Sequence, residues 1–240
     1  MKKLSADKIL HSQGLGTRKQ CQYWIKQGEV SINGEIVKDL KQTFDTDDLQ
    51  FQVFGENYHF YEKIYIALHK PKGYECSHQT QYHLPVFDLL PEHFIQRGIQ
   101  SVGRLDQDTS GLLLLSDDGQ FLHRLTHPKK HIKKYYRVDC RDAIDDEQIA
   151  KLQQGVTLHN EKGIFCALDV EQLGKSQLRF AIEQGVFHQV KRMMHAVNND
   201  VVALHREQIG QLNLAQLELD EREWCYLTPA DLEKLQFVEQ

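Results

Sequence analysis

The sequence predicts an α+β protein with two domains, covering residues 1–58 and 59–240. Strand-like stretches outnumber helical ones after residue 63, and runs of strands between few helices favour a mixed, mostly antiparallel sheet with flanking helices. An acidic stretch at residues 45–62 separates this strand-rich region from a compact unit at the N-terminus. At 240 residues and 40% hydrophobic side chains, the chain can form one large core and a small second domain.

The first domain is predicted to contain two short helices followed by a strand hairpin. Gly14 and Gly16 interrupt the helical pattern, and Asn33-Gly34 is a hairpin turn. Thr17 is a predicted N-cap, which places two cations, Arg18 and Lys19, in the first helical turn, where they oppose the helix dipole. These cations are more easily understood if they face phosphates. A solvated helix start is the alternative.

The second domain contains both helix-like and strand-like patterns of apolar residues. A helix with an apolar face is predicted around residues 121–125, a second helix at 188–197, and a last one that opens at Thr228 with Pro229 at its first position. The predicted strands are 112–115, 135–138, 164–170, 177–183, 201–206, 212–219 and 224–227.

The net charge of −5 taken alone argues against a nucleic-acid partner, but the charge is segregated along the chain. Residues 1–44 hold eight Lys and Arg against four Asp and Glu. Residues 127–137 hold five Lys and Arg, two His and a Tyr pair, a pattern typical of segments that bind a nucleic-acid backbone and stack on a base. A solvated basic turn is the alternative. The predicted nucleic-acid contacts are Arg18, Lys19, Lys26, Lys129, Lys130, Lys133 and Lys134.

Several other classes of protein are not indicated. No apolar run approaches the roughly 18 residues of a membrane span, and no apolar signal region follows the start, so we expect a cytoplasmic protein. The five cysteines include no C-x-x-C pair and are expected to be reduced thiols. His123, His127 and His131 have helical spacing, but Pro128 would break that helix, and we expect no metal site.

The most informative segment is residues 103–111, Gly-Arg-Leu-Asp-Gln-Asp-Thr-Ser-Gly, which runs into four leucines. A loop with glycines at both ends, leading into a buried strand, can hold one ionised Asp106 rigidly. The alternative is a turn whose Asp and Thr side chains only satisfy backbone groups. The residue types alone do not separate the two.

This segment, with the Leu-Leu-Leu-Leu-Ser-Asp-Asp-Gly that continues it, resembles the signature motif of pseudouridine synthases. Residues 69–73, 134–138 and 185–193 are similar to further stretches of the same family, in the same order. The first domain resembles the S4 RNA-binding domain through residues 17–19, Gly28, Val30 and Asn33-Gly34. The resemblance therefore covers nearly the whole chain and implies an S4-like domain followed by a catalytic domain.

The resemblance implies an isomerase that cleaves the N-glycosidic bond of a uridine, rotates the uracil and rejoins it through C5, without a cofactor. Asp106 is implied as the nucleophile or base, and three routes of bond cleavage stay open. Lys191 is implied as its cationic partner, with Arg192 as second choice, and Tyr136 as the residue that stacks on the base. The implied substrate contacts are Arg104, Lys70 and Arg192.

Residues 155–162 and 202–210 are similar to the branch of the family that modifies one uridine of 16S ribosomal RNA, expected to be uridine 516. The expected partner is this RNA or a ribosome assembly intermediate, and the expected state is a monomer. The 23S branch is the closest alternative. A non-catalytic RNA-binding or assembly factor is a second, against which the intact Asp106 speaks. A base-removing hydrolase would need a second carboxylate, for which Asp108 is the one close candidate.

Overall fold

A computed structural model describes residues 3–127 and 130–235. The chain forms two compact units. The first comprises residues up to Ile64 together with Leu90–Gln100, and the second comprises Tyr65–Leu89 and the chain from Ser101 onward. The first unit thus extends past the predicted boundary and includes a segment from within the range assigned to the second domain. The α+β prediction is confirmed.

The first unit contains three helices and small antiparallel sheets, and the two helices and the hairpin predicted at its start are present. The second helix begins with a capping box in which Thr17 and Gln20 satisfy each other's backbone N–H groups. It ends at Gly28, whose φ of 80° is a left-handed conformation that glycine adopts readily. Its elements are β1 (Lys3–Ser5), α1 (Ala6–Ser12), α2 (Arg18–Gln27), β2 (Val30–Ile32), β3 (Glu35–Ile36), β4 (Thr43–Asp45), β5 (Gln50–Val53), β6 (Glu56–His59) and α3 (Glu92–Gln96).

The second unit is built on a nine-stranded sheet. Its strands, with a separate β8–β9 pair, are β7 (Tyr65–Lys70), β8 (Tyr74–Glu75), β9 (Leu84–Pro85), β10 (Gln100–Ser101), β11 (Thr109–Ser116), β12 (Lys134–Cys140), β13 (Leu168–Gly174), β14 (Gln177–Ile182), β15 (Val201–Ile209), β16 (Leu212–Asn213) and β17 (Trp224–Tyr226). Its helices are α4 (Gly119–Thr126), α5 (Asp146–Gln154), α6 (Gln189–Ala196) and α7 (Pro229–Lys234), with 3-10 turns at Val86–Leu89 and Leu214–Leu217.

The order of the main strands is β13-β14-β12-β15-β11-β7-β17. Along this order β11 and β15 pair in parallel, and every other neighbouring pair is antiparallel. All eight residues of β11 are buried, so this strand lies in the centre of the core. Thr109 lies opposite Leu204, and Gly111 lies opposite Arg206. The parallel pair therefore connects the segment after the Asp106 loop to the C-terminal part of the chain.

Two predicted elements differ from the structure. The strand expected at 212–219 is wrong beyond Asn213, because the Asn213 side chain accepts a hydrogen bond from the Ala215 N–H and starts a 3-10 turn. The strand expected at 164–170 begins later, at Leu168. The helix at Asp146–Gln154 was not predicted.

The histidine cluster of the sequence does not form a common helix face. α4 ends at Thr126, and His127 already has extended backbone. Across residues 3–127 and 130–235, no group of three or more potential ligands is arranged for a metal ion. Within the same ranges no helix has the length and apolar character needed to cross a membrane. All five cysteines are free thiols.

Gly111→Ala is expected to destabilise the protein by about 1–3 kcal/mol or more in the free energy of unfolding. Gly111 has φ 112°, and an added Cβ would overlap the backbone of Arg206 on β15. Urea denaturation measures the effect. Gly119→Ala is the matched control, since a Cβ there meets nothing within 4 Å and no positive φ is required. Equal stability losses in the two variants would contradict this account.

Candidate active site

The loop between β10 and β11 brings Asp106 to a narrow groove of about 80 Å³. One carboxylate oxygen, Oδ2, lies 3.1 Å from Lys191 Nζ, and the other, Oδ1, lies 3.4 Å from His188 Nε2. His188 is the N-cap of α6 and Lys191 lies in the first turn of that helix. The groove therefore holds one carboxylate between two potential cations.

Lys191 also donates to a second carboxylate, because its Nζ lies 2.6 Å from Asp108 Oδ1. Partial burial disfavours the charged forms, but the ion pair outweighs it on both sides. The pKa of Asp108 is lowered by Lys191 despite burial, and the pKa of Lys191 is raised by Asp108 and Asp106 despite burial. Lys191 is thus held as an ammonium between the two carboxylates.

Tyr136 forms part of the wall of the groove. It lies on β12 opposite Phe180 of β14 and Arg206 of β15, and only 7% of it is exposed. Its position on the central strands fixes the ring against the sheet. Three residues implied by the family resemblance, Asp106, Tyr136 and Lys191, are therefore brought together around one groove.

Lys70 lies inside the protein and not at the groove. It is 0% exposed, and its Nζ donates to the carbonyl oxygens of Thr109 at 2.8 Å, Pro71 at 3.0 Å, Asp106 at 3.1 Å and Gln107 at 3.4 Å. Burial lowers its pKa to about 8, while the carbonyl acceptors favour the ammonium form. The burial of Lys70 contradicts the substrate contact expected of it. Its ammonium instead holds the main chain of the Asp106 loop in place.

The two arginines expected at the substrate differ in their surroundings. Arg104 is exposed and lines the groove. Arg192 points toward another loop, where it donates to the side chain of Glu161 at 3.2 Å and to the carbonyl oxygens of Phe187 and His159. Arg104 can reach a bound nucleotide as the structure stands, whereas Arg192 is engaged with the protein.

Among the cations expected to bind RNA, those of α2 face solvent. Lys19 and Lys26 are exposed, and Arg18 is largely exposed with its Nη2 3.5 Å from Asp7. A phosphate could approach all three without rearranging the core. The helix N-terminus adds backbone N–H groups to this surface.

The basic segment before β12 is mixed. Lys130 is exposed, and Lys133 pairs with Asp169 at 2.8 Å. Lys134 turns inward, where its Nζ donates to the carbonyl oxygens of Ile132 and Glu183. Lys129 lies outside the described residues. Lys134 is thus placed to contact something inside a cavity and not an RNA backbone on the surface.

The sequence analysis did not identify two residues of this region, His188 and Arg206. His188 lies in the family-like stretch 185–193 and Arg206 in the stretch 202–210, but no role was predicted for either. The burial of Arg206 was not expected, since a charged residue in a strand ordinarily faces solvent. Its burial follows from pairing in the sheet centre.

The sequence profile of the RNA pseudouridylate synthase family matches residues 64–196, and that of the S4 domain matches residues 6–49. The chain belongs to the RNA pseudouridylate synthase family. The family resemblance of the sequence is thereby confirmed. The protein is a pseudouridine synthase with an N-terminal S4 domain.

Several proteins are similar to this chain over most of its length. An uncharacterized RNA pseudouridine synthase of Bacillus subtilis is 36% identical over 211 residues, 87% of this chain and 88% of the relative. Ribosomal small subunit pseudouridine synthase A of Vibrio cholerae is 36% identical over 227 residues, 94% of this chain and 96% of the relative. A crystal structure of a pseudouridylate synthase has a TM-score of 0.68 and 35% identity, covering 97% of this chain and all of that one.

Lys70→Met is expected to lower kcat for pseudouridine formation at least about tenfold, because the main chain of the Asp106 loop loses the buried ammonium that binds its carbonyl groups together. The KM for RNA should change much less, and hydrogen exchange of residues 105–109 should accelerate. Steady-state kinetics and exchange mass spectrometry measure these effects. The exposed neighbour Lys72 offers the control Lys72→Met, which should keep kcat within about twofold. An unchanged kcat in Lys70→Met would rule out the positioning role.

Proposed function

We propose that the protein converts uridine 516 of 16S ribosomal RNA to pseudouridine, with Asp106 as the essential carboxylate and without a cofactor. The observation that carries the chemistry is the groove in which Asp106, Tyr136 and Lys191 converge. The choice of RNA is supported by several relatives named ribosomal small subunit pseudouridine synthase A, at 35–38% identity.

Asp106 acts as an anion in each of the three routes by which the glycosidic bond can open. It attacks ribose C1′, adds to uracil C6, or removes a ribose proton. The ammonium of Lys191 lies 3.1 Å from the Asp106 carboxylate and forms an ion pair with it. Substrate and product have the same atoms, so the reaction needs no external reactant.

Tyr136 holds the detached uracil during its rotation. An aromatic ring fixed against the sheet gives the base a flat apolar surface on which it can turn without leaving the groove. Arg104 at the rim binds the flipped nucleotide or its phosphate. The RNA outside the groove is gripped by the exposed cations Arg18, Lys19 and Lys26, together with the basic segment before β12.

The partner is free 16S RNA or an assembly intermediate that contains it, and the reaction takes place in the cytoplasm. We propose that the protein acts on this RNA as a monomer. Modification of 23S RNA is the second candidate. The Bacillus subtilis relative is matched over most of its length, and its name specifies no particular RNA.

Asp106→Asn is expected to reduce pseudouridine formation by at least about a thousandfold, because the amide is neither a nucleophile nor a base. Asp108→Asn is the matched control, since Asp108 contacts the same ammonium. It should retain activity within about tenfold. Release of tritium from [5-³H]uridine RNA measures turnover. Full activity of Asp106→Asn would remove this carboxylate from the mechanism.

The target can be tested by carbodiimide treatment and primer extension on 16S and 23S RNA from cells with and without this gene. We expect one reverse-transcription stop, at uridine 516 of 16S RNA, to disappear in the deletion strain. Loss of a 23S stop would keep the reaction and correct the target. If no stop disappears, the non-catalytic RNA-binding or assembly factor becomes the better interpretation.

A further inference from the structure

A second cavity adjoins the catalytic groove. It holds about 530 Å³, within the range of roughly 300–1,000 Å³ that is usual for small-ligand sites. The groove and the cavity share four wall residues, Arg104, Tyr136, Gly185 and Val186. A nucleotide held against Tyr136 therefore has its neighbour in the RNA chain close to the mouth of this cavity.

Arg206 lies in the wall of the cavity and is only 2% exposed. Its Nε donates to the carbonyl oxygen of Leu112 at 2.8 Å, which anchors the guanidinium to β11. Its Nη2 is buried and has no hydrogen-bond partner among the described residues. A buried donor without an acceptor is unfavourable. An acceptor atom on a bound ligand would satisfy it.

The charges around the cavity leave it electropositive. Lys134 and Arg206 both line the cavity, and burial, followed by the charge of Arg206, lowers the pKa of Lys134 to about 8. Both carboxylates of the wall are engaged, Glu161 with Arg192 at 3.2 Å and Glu183 with His131 at 3.0 Å. The ligand that best suits this wall carries acceptors and no positive charge.

The remainder of the wall combines four polar residues, Thr126, His127, Lys162 and Gln184, with apolar ones. A nucleobase buries its faces against the apolar side chains and offers acceptors at its edge to the polar ones, whereas a phosphate would leave the apolar side chains without a partner. Guanine O6 and N7 and the uracil carbonyl oxygens are acceptors of this kind, and arginine is a common partner for them. The apolar residues of the wall include Leu125, Ile132, Phe165 and Ile209.

We propose that this cavity, the flanking-base pocket, binds the base of the nucleotide adjacent to the target uridine, with Arg206 Nη2 donating to an acceptor on its edge. The inference rests on the proposed function, because it requires an RNA substrate whose target uridine lies in the groove. It adds a second recognition element, so that the enzyme reads a neighbouring base as well as the uridine that it isomerises.

The test uses short RNA substrates that keep the target uridine and carry an abasic ribose on its 5′ or its 3′ side. We expect one of the two to lower kcat/KM by about tenfold or more, as is usual when a stacked or hydrogen-bonded base is removed. Turnover of the unmodified RNA reports on the proposed function separately. If that RNA is turned over normally and each abasic site changes kcat/KM by less than about twofold, the flanking-base proposal is wrong and the proposed function stands.

A pocket variant shows whether the effect arises in this cavity. Ile164 lies in its wall and is 62% exposed, so Ile164→Trp can fill the cavity from the outside. This variant should process the intact RNA less efficiently and show less than about a twofold abasic effect. Val202→Trp, at a 67% exposed position that lines neither site, is the matched control and should keep the full effect. A full abasic effect in Ile164→Trp would overturn the proposal.

Arg206→Lys tests the donor itself. It keeps the charge but replaces the planar fork, whose separate Nε and Nη2 serve Leu112 and the ligand, by one nitrogen at a single position. Thermal denaturation first establishes that the variant is folded. A folded variant should lose most of the abasic effect, and retention of the full effect would exclude the Nη2 contact. If the variant does not fold, Ile164→Trp decides the question.

Discussion

The buried ammonium of Lys70 is the interaction on which the active site depends. Lys70 lies at the end of β7, opposite Gly111 of β11. Its Nζ donates to the carbonyl oxygens of Asp106, in the loop before β11, and of Thr109, at the start of β11. Because the main chain of that loop is bound from inside the protein, the Asp106 side chain is directed outward to the groove. Burying the cation carries a desolvation cost, which the carbonyl groups offset. The backbone N–H groups of Thr109 and Gly73 also donate to the carbonyl oxygens of Asp106 and Gln107, so the ammonium is a second donor at both positions.

The groove itself is organised by a shared cation. Lys191 contacts Asp106 and Asp108 together, so neither carboxylate alone determines where the ammonium lies. His188 Nε2 lies near Oδ1, the other carboxylate oxygen of Asp106. The carboxylate is consequently restrained on both sides before any substrate arrives, and such preorganisation reduces the rearrangement needed on binding.

Local signals predicted much of the fold. The capping residues Thr17 and Thr228 and the glycines around the Asp106 loop depend on neighbours in sequence, and the elements that they predict are present. Asp145 and Gln148 form a similar capping box that would have predicted α5. Lys70 and Arg206 could not be placed, since their burial depends on strand pairing between distant segments. For Tyr136 and Lys191 the family resemblance supplied what the residue pattern alone did not.

The parallel pairing of β11 with β15 also affects how the protein is made. Thr109 and Leu204 are about 95 positions apart, and contacts of such separation form slowly, because a long loop must close first. A ribosome must therefore release most of the chain before Asp106 meets its partners. The first unit needs only the first hundred residues and can fold earlier. During its own translation the synthase passes through a stage in which the S4 unit can form while the reaction centre is still incomplete.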